Sequence, residues 1–374
     1  MKRKIPAFTF SFICFGVLGC TQTFDSMVVQ FPLLVLSVFV GCCFGANNVR
    51  EGEPFVVAGY VPEYRLGHVH DHSEFFLPYL TDMLLFSIEP TPNGQIQATD
   101  RVLWNEQIPP RFQASKRGGT RLVVVVGGAG RSNNFAAVAR SAELSTIFAE
   151  NLKQFIIKHG LNGVDVDWEA QYQNEIMVSF LKILSSTLRT EGLRVTVALH
   201  HFNPLPQEAY GLIDAVHVMA YDLASGATGH SSFEHSQQVV QIFLNAGCPR
   251  DKIVLGVPAY SRHVSNPGQV KTYSEITKED RDNAFVDVTA DGDAYNGVPT
   301  IERKVRWARK NGLAGVMVWE VGQDSVDQET SLIAAIHRAT TPSDDDEAAA
   351  APPSRKAGTS RKRKKKKKKT RKEL

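Results

Sequence analysis

The residues Asn162-Gly163-Val164-Asp165-Val166-Asp167-Trp168-Glu169 place three carboxylates at every second position. Gly160 and Asn162-Gly163 form a turn before them, after a helical pattern at Phe155 to His159, so the segment predicts a short strand. Side chains alternate across a strand, which puts Asp165, Asp167 and Glu169 on one face and Val164, Val166 and Trp168 on the other. Successive carboxylates on that face stand about 6–7 Å apart at Cα. Their mutual repulsion must raise the pKa of at least one of them. A carboxyl that keeps its proton at a strand end can serve as a general acid. The same row could instead hold a metal ion, and the rest of the chain has to separate the two readings.

The elements that must position this row recur in a regular order. Apolar β-rich runs occur at 55–60, 83–88, 122–126, 163–168, 194–199, 215–220, 253–257 and 314–319. Helical patterns lie between or after them at 136–159, 175–189, 236–246, 301–311 and 331–338. Near-continuous apolar strands separated by helices predict an α/β fold with a parallel sheet covered on both sides. Eight such units at this length predict a closed (β/α)8 TIM barrel.

Composition sets the surroundings. Of 374 residues, 43% are hydrophobic and the net charge is +3, but that charge is unevenly distributed. Residues 1–46 carry +2, Asp344 to Glu347 carry −4, and Ala348 to Leu374 carry +12, leaving −7 on the body between them. An acidic body argues against specific nucleic-acid binding. Four of five cysteines precede residue 47 and only Cys248 lies in the body, so the body has no internal disulfide and no zinc-type Cys/His spacing.

Three domains are expected: a leader at 1–46, a barrel at 47–340 and a tail at 341–374. The leader holds two apolar runs, Ile5 to Cys20 and Val28 to Ala46, the first after Lys2-Arg3-Lys4. They predict a secretory signal, starting from Met1 or Met27, with a membrane anchor and a lipoprotein site as alternatives. Each places the body beyond a membrane, secreted or anchored on the luminal or extracellular side. The tail runs from acidic to Lys/Arg-rich with almost no large apolar residues, which predicts disorder. Its unbroken basic run Arg361 to Lys369 could hold an anionic surface. Lys372-Glu373-Leu374 only partly resembles an ER-retrieval signal.

The body resembles glycoside hydrolase family 18, the chitinases and their relatives, over roughly 55–339. The family's catalytic strand reads Asp-x-x-Asp-x-Asp-x-Glu, matched here by Asp165, Asp167 and Glu169, with Asn162 at its first acidic position. Met219-Ala220-Tyr221-Asp222 matches its Met-x-Tyr-Asp, and Gly315-Val316-Met317-Val318-Trp319 its Gly-x-Met-x-Trp. Gly256 to Arg262 is close to its Gly-x-Pro-x-Tyr-Gly-Arg. The third-strand Ser-x-Gly-Gly appears as Val125-Val126-Gly127-Gly128, without its Ser.

The resemblance implies hydrolysis of β-1,4-linked N-acetylglucosamine, as chitin or a related glycan, with no cofactor or metal and as a monomer. It implies substrate-assisted retaining catalysis, in which the acetamido carbonyl attacks the anomeric carbon. Glu169 would be the acid and base, Asp167 would orient the acetamide, and Asp165 would share a proton with Asp167. Tyr221 would hold the acetamido oxygen, Asp222 would bind sugar, and Trp319 would floor the site. Met219 and Tyr60 are further lining candidates, with core packing the alternative for both. His200 and His201 should point to opposite faces, one lining the cleft and one packing with its hydrogen bonds satisfied. The short 262–301 interval predicts a shallow groove. Alternatives are a chitin-binding lectin on the same fold, and an endo-β-N-acetylglucosaminidase or peptidoglycan hydrolase of the same family. An unrelated metal-dependent barrel hydrolase is a third reading.

Overall fold

The computed structural model of the protein describes residues 54–170, 174–223 and 229–341. The expected leader, and the tail beyond Thr341, lie outside the described residues.

Eight strands form one closed parallel sheet: β1 (Val56–Pro62), β2 (Asp82–Pro90), β3 (Arg121–Gly127), β4 (Gly163–Asp167), β5 (Arg194–His200), β6 (Ala215–Met219), β7 (Ile253–Pro258) and β8 (Gly315–Trp319). Each pairs with its neighbours in chain order, and β1 pairs with both β2 and β8 to close the barrel. The expected (β/α)8 barrel is the observed fold. Strand limits fall within two residues of expectation, because Val-, Ile- and Leu-rich runs buried on both faces are unambiguous.

Alternation divides each strand between two cores. Val57, Val124, Val126, Val164, Val166 and Val195 point outward and pack under the helices. Val56, Ala58, Tyr60, Leu84, Phe86, Val123, Val125, Val254 and Met317 fill the barrel interior. Asp165 and Asp167 share the inward parity of β4, whereas Trp168 faces outward and stacks on Phe135 at 5.2 Å. The sheet thus delivers carboxylates into the interior while apolar side chains anchor the same strand from behind.

The helical stretch expected at 136–159 divides into Phe135–Ala139 and Ala142–Lys158. Ser141 is extended between them, and its hydroxyl caps the second helix by accepting from the Leu144 amide, a typical N-cap. Between Arg262 and the helix Val298–Lys310 that leads into β8, the chain contributes the helix Tyr273–Glu279, a 3-10 turn at Arg281–Phe285 and a two-residue antiparallel ladder.

Barrel strands carry their chemistry at their C-terminal ends. At the opposite end, Pro54, Phe55, His337 and Thr340 line a hollow of 740 Å³ together with Leu77, Tyr79 and Arg121. Both limits of the described barrel therefore lie on the face away from the carboxylates.

Candidate active site

At the C-terminal ends of the strands, a cavity of 310 Å³ is lined by Tyr60, Phe86, Asp167, Glu169, Met219, Tyr221, Asp222 and Trp319, among others. Seven of the eight residues expected at the site line this one cavity, and the eighth, Asp165, lies just beneath it.

Asp165 is fully buried, and every acceptor position it needs is served. Its Oδ2 accepts from the Tyr60 hydroxyl at 2.5 Å, and its Oδ1 accepts from Thr196 Oγ1 at 2.6 Å and meets His217 Nδ1 at 2.9 Å. Burial opposes ionisation, but the His217 charge and the bonds from His217, Thr196 and Tyr60 outweigh it and hold the carboxyl below its usual value. Tyr60 is pushed the other way, chiefly by burial and then by Asp165.

Asp167 sits in the opposite condition. Only 3% exposed, its Oδ1 has no hydrogen-bond partner. Burial, then repulsion from Glu169 and Asp165, pushes its pKa well above the ordinary carboxylate value. The raised pKa expected of the crowded row therefore falls on its middle member. The coupling between Asp165 and Asp167 runs through charge, since Asp165 takes its donors from three other elements and Asp167 Oδ1 stays unpartnered.

Gly127 and Gly128 make the bend that frames this pair. They take φ of 100° and 104°, a region open to glycine and strained for other residues. A Cβ on Gly127 would run into the Asp167 carbonyl, and one on Gly128 into the Phe86 ring. Beyond the bend, Ser132 Oγ donates to the Gly128 and Asp167 carbonyls and accepts from the Glu169 amide at 3.1 Å. Val125, where the family has Ser, packs in the interior, and the hydroxyl that ties β3 to β4 at this level is Ser132. Asn162 performs a similar tie at the other end of β4, its Oδ1 accepting from the Leu122 amide at 2.9 Å.

Glu169 lies two residues past the strand, partly exposed, with Oε2 at 3.1 Å from His200 Nε2. His201 turns away, edge-on to Phe202 and His235. The expected split of the two histidines is observed, with one correction. His201 Nδ1 has no partner, so the packing histidine is not fully satisfied. Among the described residues, no group of three or more His, Cys, Asp or Glu side chains is placed to hold a metal ion.

The far wall comes from β6, β7 and β8. Tyr221 is buried, its hydroxyl reaching Met317 Sδ at 4.0 Å as its one hydrogen-bond contact among the described residues, and burial followed by the Asp167 charge pushes its pKa up. Gly256 makes room for that ring, because a Cβ there would come within 3.0 Å of Tyr221 Cε1 and 2.9 Å of Met317 Cε. Asp222 adopts φ 63° and accepts from Tyr260 Oη and Arg262 Nε, both at 2.6 Å. Burial disfavours its charge, but bonds to His230, Arg262 and Tyr260 prevail and hold the carboxyl far down. Trp319 lies 5.3 Å from the Tyr60 ring and edge-on to Phe86 at 4.9 Å. Sequence reasoning did not single out Thr196, His217, Ser132, Tyr260 or His230, all of which hold these side chains.

The family model described as Glycosyl hydrolases family 18 matches residues 56–324, from the first strand to just past the last. The chain belongs to this family. Among curated family relatives, Chitinase 1 of Aphanocladium album is 29% identical over 279 residues, covering 58% of this chain and 65% of that protein. A chitinase-like mite allergen of Dermatophagoides farinae is 24% identical, covering 63% of this chain and 54% of its own length. The chain thus spans roughly half to two-thirds of these curated relatives. Among solved family structures, the chitinase ChiB of Flavobacterium johnsoniae superposes with a TM-score of 0.69 at 26% identity, covering 77% of this chain and 94% of that one. The chitinase-like agglutinin of Robinia pseudoacacia shares the fold, with a TM-score of 0.64 at 19% identity.

Proposed function

We propose that this protein hydrolyses β-1,4-linked N-acetylglucosamine oligomers or polymers with retention at the anomeric carbon, the substrate serving as its own nucleophile. The observation that carries this reading is the pairing of the buried Asp167, its carboxyl pushed well above the ordinary carboxylate value, with Glu169 in one cavity that Trp319 also lines. The arrangement fits a 2-acetamido sugar better than a bare one. Family membership and the chitinases among the relatives support the same substrate class.

In the first half-reaction, the acetamido carbonyl oxygen attacks C1 and the C1–O bond to the leaving sugar breaks. Its electron pair goes to the leaving oxygen, which takes the Glu169 proton. Positive charge develops on the acetamido nitrogen beside Asp167, whose buried Oδ1 is unpartnered. Tyr221 donates to the acetamido oxygen and restricts it to the attacking orientation. Asp165, saturated by three donors, stays anionic and supports Asp167 through charge. In the second half-reaction, water adds to C1 as Glu169 takes its proton, the C1–oxygen bond of the oxazolinium ring breaks, and the acetamide is restored. Asp222 and Met219 hold the sugar at the cavity edge.

A lectin built on this barrel would not need the acid, and Glu169 is present, which favours the enzyme. The leader's apolar runs support export, and the basic tail supports contact with an anionic surface. Fluorogenic di- and tri-N-acetylchitooligosaccharides test the proposal. Wild type should release the fluorophore equally with and without chelator, and Glu169→Gln should not. Unchanged turnover in that variant would remove Glu169 from its role. Turnover of glycopeptide substrates alone would move the assignment to glycan cores.

A further inference from the structure

We propose that His200 is a positioning residue for Glu169: its Nε2–H orients the acid and stabilises the carboxylate left after proton transfer. This rests on the hydrolytic reading above. Three observations carry it. His200 Nε2 stands 3.1 Å from Glu169 Oε2, and both side chains line the cavity. The imidazole is itself clamped, lying parallel to the Phe202 ring at 5.3 Å and 6°. It also ends β5, where His200 is in register with Met219 of β6, so it is set by the sheet rather than by a loop.

The geometry divides the work between the two carboxyl oxygens. Oε2 accepts from Nε2–H of the neutral imidazole, which leaves the proton on Oε1 for the glycosidic oxygen. When that Oε1–H bond breaks and the O–H bond of the leaving sugar forms, Oε2 already has a donor for the new charge. Oε1 then takes the proton of the incoming water. The other titratable or charged groups around this pair are Asp167 from β4, Arg131 after β3, Tyr221 and Asp222 after β6, Tyr60 of β1, and the adjacent His201. Among the described residues that line the cavity, His200 alone hydrogen-bonds the Glu169 carboxyl.

The test compares kcat and KM for wild type, His200→Ala and His200→Gln on fluorogenic tri-N-acetylchitotriose. His200→Ala should lose roughly tenfold or more in kcat, about 1.4 kcal/mol, with KM nearly unchanged. His200→Gln keeps an N–H donor, so it should recover most of kcat. Equal kcat in all three proteins would overturn the assignment and leave the hydrolytic reading standing. So would an equal loss of kcat in both variants, which is what mere packing predicts. A wild-type protein inactive at every pH would overturn the hydrolytic reading and this inference with it.

Discussion

Replacing Asp167 with Asn should make the protein more stable and nearly inactive, two effects that a merely structural residue would not combine. The side chain is buried, its Oδ1 is unpartnered, and its backbone carbonyl ties to Gly128 N and Ser132 Oγ are untouched by the change. In the unfolded chain the carboxyl ionises near its ordinary 3.8; in the folded protein burial and two neighbouring carboxylates keep the proton on to higher pH. Between those two values the folded state binds more protons, so stability falls as pH rises, by about 1.4 kcal/mol per pH unit. Asn does not titrate, and the window closes. Against this gain stands about 1–3 kcal/mol for a buried amide lacking partners. Urea unfolding of both proteins from pH 4 upward should show their stability difference moving in the variant's favour at that slope, then levelling. Hydrolysis should fall by 10²–10³, the loss expected when one preorganised group opposite a developing charge is removed, about 2.7–4 kcal/mol. Parallel stability curves would refute the retained proton, and near-wild-type turnover would refute its role.

Other substitutions probe the supports. Tyr60→Phe removes the 2.5 Å bond to Asp165. It should cost about 1–3 kcal/mol of stability in denaturant titrations and lower kcat more than it raises KM. Gly256→Ala would press a methyl against Tyr221 and Met317, and a loss of about 1–3 kcal/mol together with reduced turnover is expected from such overpacking. Lys304 is fully buried against the Ser231 and Asn296 oxygens, with burial lowering its pKa to about 7. The unfolded chain holds that proton to about 10.5, so wild-type stability should rise with pH between about 7 and 10.5. Lys304→Met should abolish that rise, as calorimetry across the window can show.

The barrel was legible because its strands are doubly buried. Runs such as Leu122–Val126 and Ile253–Val257 leave no competing period, and turn residues fix their ends. The helix break at Ser141 was harder to see, since helical periodicity continues on both sides and only the capping hydroxyl marks the interruption. At the site, residues in a recognisable local pattern were found and their supports were not. Thr196 and His217 carry a usable signal, a polar residue at inward parity in an otherwise apolar strand. Pairing Asp165 with Thr196 across β4 and β5 required the register, which adjacent strands alone do not disclose. Ser132, His230 and Tyr260 depend on how loops fold back over the strand ends, a matter of backbone angles at Gly127, Gly128 and Asp222. The raised pKa fell on Asp167 for a related reason: spacing shows that three carboxylates crowd together, but only the donors each one finds decide which is pushed up.

The hollow shared by Pro54 and Thr340 gives the barrel a handle. A purification label or a resin linker spliced to either margin attaches at the floor of the barrel while the carboxylate-lined mouth looks the other way. Immobilised through that floor, the protein would present every copy's mouth to a passing insoluble fibre, an orientation that random coupling through surface lysines cannot supply.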